Sequence, residues 1–322
     1  MEPDMTLPRY DQTKLDLPAM GAWPASHHRF DAAQVLALQA AEAAGRPLLV
    51  RGDPGTGKSQ LAHAAAVAAQ RLFLAVVVDA RSEASDLLWR FDAIARLADA
   101  HLAAVPGSDA PRDLKPKRYV EPGALWWAFD WNGAAGQLAD TRVGGVVPDL
   151  PDKAWTPQRG TVLLIDEIDK AEADLPNGLL EALGNGRFAV PPLGTVVKRP
   201  AEVPAPLVIV TSNEERELPP AFLRRCLVLT LALPKTPAEL SAYLVERGEL
   251  HFPELAKTHS AALTMAAEQL IADRARAVEE GVYTPGLAEY LDLLRVLDRM
   301  GGDPVGRLKD LRAYFFDKQP AA

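Results

Sequence analysis

Five short apolar runs punctuate the first two thirds of the chain, and stretches of three-to-four-residue periodicity separate them. The runs are Leu48-Leu49-Val50, Phe73-Leu74-Ala75-Val76-Val77-Val78, 161–165, 207–210 and 227–231. A brief β-branched and aliphatic run bounded by turn residues reads as a strand buried on both faces. Helical spacing occupies 31–44, where Asp31 is a natural N-cap and Gly45 a natural stop, then 60–70, 82–101 and 175–183. Strands alternating with helices predict an α/β fold with a parallel sheet covered on both faces. Phe188-Ala189-Val190 and Thr195-Val196-Val197, joined by Pro191-Pro192-Leu193-Gly194, predict a hairpin at about 187–198.

The pattern changes after Leu233-Pro234-Lys235-Thr236-Pro237. No strand signal follows, and helical periods fill 237–247, 260–279, 286–299 and 304–316. The chain therefore divides into an extended, proline-rich arm (1–29), an α/β domain (30–232) and a helical domain (233–322). Trp23 and Phe30, near the end of the arm, suit either a nucleotide base or an anchoring contact.

Residues 81–160 form a large insertion. Its helix at 82–101 carries Leu87, Leu88, Phe91, Ile94 and Leu97, and a proline- and charge-rich loop follows at 106–116. Five of the six tryptophans lie between residue 60 and residue 160. Trp126, Trp127 and Trp131 cluster with Phe129, which fits a satellite core over that helix or a partner surface.

Composition narrows the possibilities. The 322 residues are 48% hydrophobic and 24% charged, an ordinary globular balance. The net charge of -8 disfavours a phosphate-backbone partner, so nucleic acid is not expected. The stretch 112–118 is the one basic candidate and reads as a solvated loop. A single cysteine, Cys226, points to a reducing compartment. The acidic start lacks the apolar core of a signal peptide, and the longest apolar run, 72–78, is too short to span a bilayer. A cytoplasmic location is expected.

Candidate chemistry sits at the strand ends. After the first strand comes Gly52-Asp53-Pro54-Gly55-Thr56-Gly57-Lys58-Ser59, a phosphate-binding loop in its required strand–loop–helix context. Its glycines let backbone N–H groups surround a phosphate, and the helix from Gln60 adds its positive dipole end. Lys58 can reach the β- and γ-phosphates, and Ser59 can ligate Mg²⁺. Asp166 and Glu167 emerge at the end of the 161–165 strand, on the ligand-binding edge of a parallel sheet. Asp166 is placed to hold Mg²⁺ through water, and Glu167 to polarise the water that attacks the γ-phosphate. Asn213, at the end of the next strand, can bond that water or the γ-phosphate. Arg224 and Arg225 precede the last strand, where one of them can act as a finger across a subunit boundary.

This order of motifs resembles the AAA+ ATPases. The run Leu163-Leu164-Ile165-Asp166-Glu167-Ile168-Asp169-Lys170, then Leu179-Leu180-Glu181-Ala182-Leu183, the hairpin and Thr211-Ser212-Asn213 resemble the MoxR branch. The resemblance covers about 30–320. It implies a P-loop three-layer α/β/α fold with a five-stranded parallel sheet and an all-helical lid. It also implies that residues 52–59 are Walker A and bind ATP together with Gln60, that Asp166 and Glu167 are Walker B, and that Asn213 is sensor 1. Arg225 then aligns with the arginine finger, with Arg224 as the alternate. Further implications are a homo-oligomeric ring, a hexamer, and a protein client, with a von Willebrand factor A domain protein as partner. One departure stands out: Thr284-Pro285-Gly286 has glycine where relatives place the sensor 2 arginine. Arg274, Arg276 or Arg295 is left to substitute. The expected function is ATP hydrolysis that remodels a protein partner. The alternatives are a slow nucleotide-gated scaffold and, less favoured, a nucleic-acid motor.

Overall fold

The computed structural model describes residues 10–315 except 12, 22, 106–112 and 283, with the side chains of 312 and 313 also outside the description. Residues 106–112, the first seven of the loop expected at 106–116 and the first of the basic stretch 112–118, thus lie outside the described residues, as do residues 1–9 of the arm.

The arm folds back on itself. β1 (Leu15–Leu17) and β2 (Ser26–His28) pair antiparallel, with Asp16 opposite His27. Two three-residue strands among prolines are too short for a period-two pattern to stand out. Phe30 is buried and packs edge-on against Tyr10, so it is an anchor. In α1 (Ala32–Ala44) the cap reads as expected: the Gln34 N–H donates to Asp31, and the Gln34 side chain accepts from the Asp31 N–H. Gly45 closes the helix in the left-handed region.

β3 (Leu48–Arg51), α2 (Lys58–Ala68) and β4 (Leu72–Val77) follow. The insertion differs from its expected single helix. It breaks into α3 (Ala84–Leu88), β5 (Trp89–Phe91) and α4 (Ala93–Ala103). The reason is a strand partner: Trp89 to Phe91 pair antiparallel with β6 (Val120–Pro122), and Asp92 then caps α4 by accepting from the Ala95 N–H. Of the expected apolar face, Leu87 is buried, whereas Ile94 is 83% and Leu97 60% exposed. The tryptophans share a core with Leu87 of α3, with Leu88 and Phe91 packed against it, but leave Ile94 and Leu97 of α4 uncovered. Trp126, Trp127 and Phe129, on α5 (Ala124–Phe129), join Trp155 in a core continuous with Leu163 and Ile165. Beyond α6 (Trp131–Asp140), Arg142 turns back to Asp99 of α4 at 2.8 Å.

The remaining strands are β7 (Thr161–Asp166), the hairpin β8 (Arg187–Val190) and β9 (Thr195–Lys198) after α7 (Asp174–Asn185), then β10 (Leu207–Ser212) and, past α8 (Pro220–Leu223), β11 (Leu227–Thr230). Arg187 faces Lys198 in the hairpin, close to the expected ends. β3, β4, β7, β10 and β11 form a five-stranded parallel sheet in the order β11-β3-β10-β7-β4. Central β7 and β10 are almost wholly buried, with Leu207 opposite Val162. β4 is an edge strand, so its C-terminal end is partly open: Val77 is 65% exposed, although Val78 just beyond is buried.

Two compact units organise these elements. One holds Phe30–Val50 and Ala62–Leu229; the other holds β1 and β2, Arg51–Leu61, and the chain from Thr230 onward. The second unit includes α9 (Pro237–His251), α10 (Pro253–Glu280), α11 (Leu287–Met300) and α12 (Pro304–Phe315). Leu244, Leu263, Leu270, Tyr290, Leu293 and Leu294 form its core. Gly248 lets α9 approach closely: a Cβ there would sit 2.8 Å from the Tyr290 hydroxyl. Among the described residues no helix is long and apolar enough to cross a membrane.

His251, at the end of α9, has its pKa pushed down from 6.5 to about 4, first by burial and then by His27, Arg247, Arg295 and Lys14. A depressed folded pKa contributes stability that is full above the unfolded value and is lost as pH falls. Stability is therefore expected to decline from pH 6.5 toward about 4, with a slope of at most about 1.4 kcal/mol per pH unit from this one proton. Denaturant titrations across that range should show the decline, and His251→Gln should flatten it.

Candidate active site

Two groups of side chains carry the expected chemistry, one in each unit. The first is the loop after β3. Gly52, Gly55 and Gly57 all take positive φ, at 142°, 75° and 89°. Gly52 is also sterically required, because a Cβ would lie 2.0 Å from the Leu231 carbonyl oxygen. That oxygen belongs to the segment whose N–H donates to Arg51 O at 2.8 Å, so the loop leaves β3 directly beneath a neighbouring backbone. Thr56 Oγ1 donates to Asp53 O at 2.8 Å and tightens the turn. Lys58 is buried, and its Nζ donates to Gly52 O at 2.7 Å and Asp53 O at 2.9 Å. Lys58 and Ser59 open α2, where backbone N–H groups and the dipole favour an anion. The Gln60 side chain is engaged elsewhere: its amide donates to Ser26 Oγ and His27 O, tying β2 to this helix.

Arg274 reaches the same loop. Its guanidinium lies 3.4 Å from Asp53 Oδ2 and donates to Pro285 O at 2.8 Å. Arg276 pairs instead with Asp273, and Arg295 with Asp292. Of the three arginines considered for the glycine-substituted position, Arg274 is the one held against the loop. A Cβ on Gly286 would itself lie 3.6 Å from Pro54 O, so this glycine also borders the loop.

The second group is built on β7 and β10. Their parallel register sets Val210 beside Ile165, which places Thr211 beside Asp166. The Thr211 hydroxyl donates to Asp166 Oδ1 at 2.5 Å and accepts the Glu167 N–H at 2.9 Å. Glu167 stands in the left-handed region at φ 61°, ψ 45°. A non-glycine residue there is strained, and such strain collects where structure fixes a side chain for use. Lys170 Nζ donates to Glu167 Oε2 at 2.7 Å, and Asn213 Nδ2 approaches Glu167 Oε1 at 3.5 Å. The bond to Glu167 is the main cause raising the Lys170 pKa. Asp169 is buried and accepts the N–H groups of Asn213 and Glu215 at 3.1 and 3.0 Å, which locks the turn after β10.

Asp166, Glu167 and Asn213 are thus brought together, as the strand-end pattern predicts. Thr211, Asp169 and Lys170 stand in the runs that carry the resemblance, but the sequence assigns none of them a role in the site. Arg224 and Arg225 lie between buried Phe222 and buried Cys226, and both are exposed. Neither forms an ion pair among the described residues, and neither joins the carboxylate group.

The sequence from residue 47 to residue 226 matches the profile of the AAA domain, dynein-related subfamily. That span is more than half of the chain. The protein belongs to this AAA family. The AAA match runs from the start of β3 to Cys226, so it contains the glycine loop, both acids, Asn213 and both arginines. ATP binding and ATPase chemistry are supported at the level of the AAA family. No curated protein matches the chain. Among solved structures, one described as a "putative ATPase" from Cytophaga hutchinsonii is 15% identical, with a TM-score of 0.37 over 88% of this chain and 79% of the other. A RuvB mutant from Thermotoga maritima is 16% identical, with a TM-score of 0.39 over 90% of this chain and 77% of the other.

Proposed function

We propose that this AAA protein is a Mg²⁺-dependent ATP hydrolase of the MoxR type that works as a hexameric ring and remodels a protein client. The arrangement at Thr211 carries the proposal. One hydroxyl holds both Asp166 and the backbone of Glu167, so a metal-binding acid and a water-activating acid are oriented by a single group.

In this reading the loop amides of 52–59 and Lys58 bind the phosphates. Ser59 and Asp166 supply a hydroxyl and a carboxylate, the hard oxygen donors that suit Mg²⁺. The metal, when bound, neutralises phosphate charge. Glu167 orients and polarises the attacking water, and Lys170 and Asn213 hold its two carboxylate oxygens. Arg225 serves the site of a neighbouring subunit. Arg274 replaces the lid arginine that Gly286 lacks, coupling the helical unit to the loop through Asp53. A von Willebrand factor A domain protein is the partner class favoured by the MoxR resemblance.

The Glu167–Lys170 pair also favours a second reading, a slow nucleotide-gated switch, because an ion-paired base is restrained. Phosphate release from ATP separates the two. Steady release that requires Mg²⁺ and stops with chelator is the expected result. Tight ATP binding without release over hours would support the switch.

A further inference from the structure

α4 is oriented inside out. Its one buried residue is Asp99, which accepts from the Tyr119 hydroxyl at 2.8 Å and pairs with Arg142 at 2.8 Å. These polar contacts turn the apolar side of the helix to solvent: Ile94 is 83%, Leu97 60% and Leu102 54% exposed, and Val105 just beyond is 55% exposed. A helix usually buries its apolar stripe, and a contiguous apolar surface left open marks an interaction site.

The row runs into a groove. Ile94 is also part of the wall of a cavity of about 750 Å³ bounded by α3, β5, the start of α4 and the turn at Val143. Glu83, Asp86, Asp92 and Glu121 line it, with Arg90 as the one lining cation among the described residues. Asp86 is partly neutralised by Arg90 at 3.3 Å, and Asp92 caps α4. Glu121 lies opposite Arg90 in the β5–β6 pair, and burial raises its carboxyl pKa more than the Arg90 charge lowers it. A cation placed beside it would relieve that cost. Trp89 and Phe91 add aromatic surface suited to aliphatic stems and cationic heads.

We infer that this face of the insertion docks a basic amphipathic segment of a protein partner, its apolar residues on α4 and its Lys or Arg side chains in the acidic groove. The use of this contact in remodelling rests on the function proposed above, but the docking itself does not require hydrolysis. Trp89 Nε1 donates to Ala189 O of the hairpin at 3.1 Å, so the groove is joined to a second element of the same unit.

Anisotropy of a labelled amphipathic Leu/Lys peptide, titrated with the full chain, tests the inference. The expected result is saturable binding, no binding of the matching Leu/Glu peptide, and affinity reduced about tenfold or more by Ile94→Glu and by Glu121→Gln. Glu279→Lys, on the helical unit, should leave binding unchanged and so excludes a diffuse attraction to an acidic protein. Ile94 is exposed, so its substitution should preserve the melting temperature. Binding that ignores Ile94→Glu, or equal binding of both peptides, overturns the inference. So does the absence of peptide binding combined with a smaller assembly for Ile94→Glu, which would make α4 a contact between copies of this chain. Glu167→Gln should bind the peptide normally, so a failure of docking and a failure of the hydrolase reading give different results.

Discussion

Glu167→Gln is expected to lower steady-state ATP turnover by about 10²–10⁴-fold, the range for loss of a positioned general base, with nucleotide affinity retained. Gln keeps the shape, so the Glu167 N–H bond to Thr211 and the left-handed backbone stay available. What disappears is the negative charge that draws a proton from water. The lost ion pair with Lys170 should cost little stability, because its two side chains are 32% and 40% exposed and solvent screens such pairs. Lys170 has its pKa raised by Glu167, so the ammonium is fully charged at neutral pH and is lost only as pH rises through that elevated value. The comparison of Glu with Gln is therefore not blurred by Lys170 titration near pH 7. Phosphate release and titration with a fluorescent nucleotide measure the two halves of the expectation. Unchanged turnover would remove Glu167 from its role and leave the loop as a binding device.

The parts of this site that were legible in the sequence are those whose signal is local. The glycine loop needs three positive-φ residues within six positions, and only a glycine spacing meets that demand cheaply. Acids after a four-residue apolar run mark a strand end, and β7 indeed ends at Asp166. Thr211 was invisible as a bridge because its function depends on register: it acts on Asp166 only because β10 lies beside β7 with Val210 against Ile165. Asp169 reads as one more surface acid until the turn after β10 folds over it. Arg274 is twelve residues before Gly286 in the chain, and only the fold of the helical unit brings it to Asp53. The insertion failed for a related reason. Leu87, Leu88, Phe91, Ile94 and Leu97 have helical spacing, yet pairing of Trp89 and Phe91 with β6 outweighed it, as tertiary contacts commonly outweigh propensity. The same event freed α4 to be placed by Asp99 instead of by its leucines.

Arg225→Ala is expected to lower turnover by about 10³-fold or more, the range for removing an arginine finger, whereas Arg224→Ala should have a small effect. The short α8 is pinned by Phe222, which is fully buried, and Cys226 is buried on the other side, so the intervening arginines are held outward on a firm base. Consecutive residues diverge in direction, which allows one of the two to meet a given phosphate. A cation placed this way, with no ion pair among the described residues, has its greatest use at a site supplied by another copy. Mixing two inactive proteins decides the point. In a one-to-one mixture of Glu167→Gln with Arg225→Ala, about a quarter of subunit boundaries of a ring would combine an intact Glu167 with an intact neighbouring Arg225. Activity should return to about that fraction of wild type when the mixture is allowed to exchange subunits. If the arginine acts within its own subunit, every site in the mixture lacks one group and the mixture stays as inactive as its components. If Arg224 is the finger, Arg224→Ala replaces Arg225→Ala as the partner that restores activity.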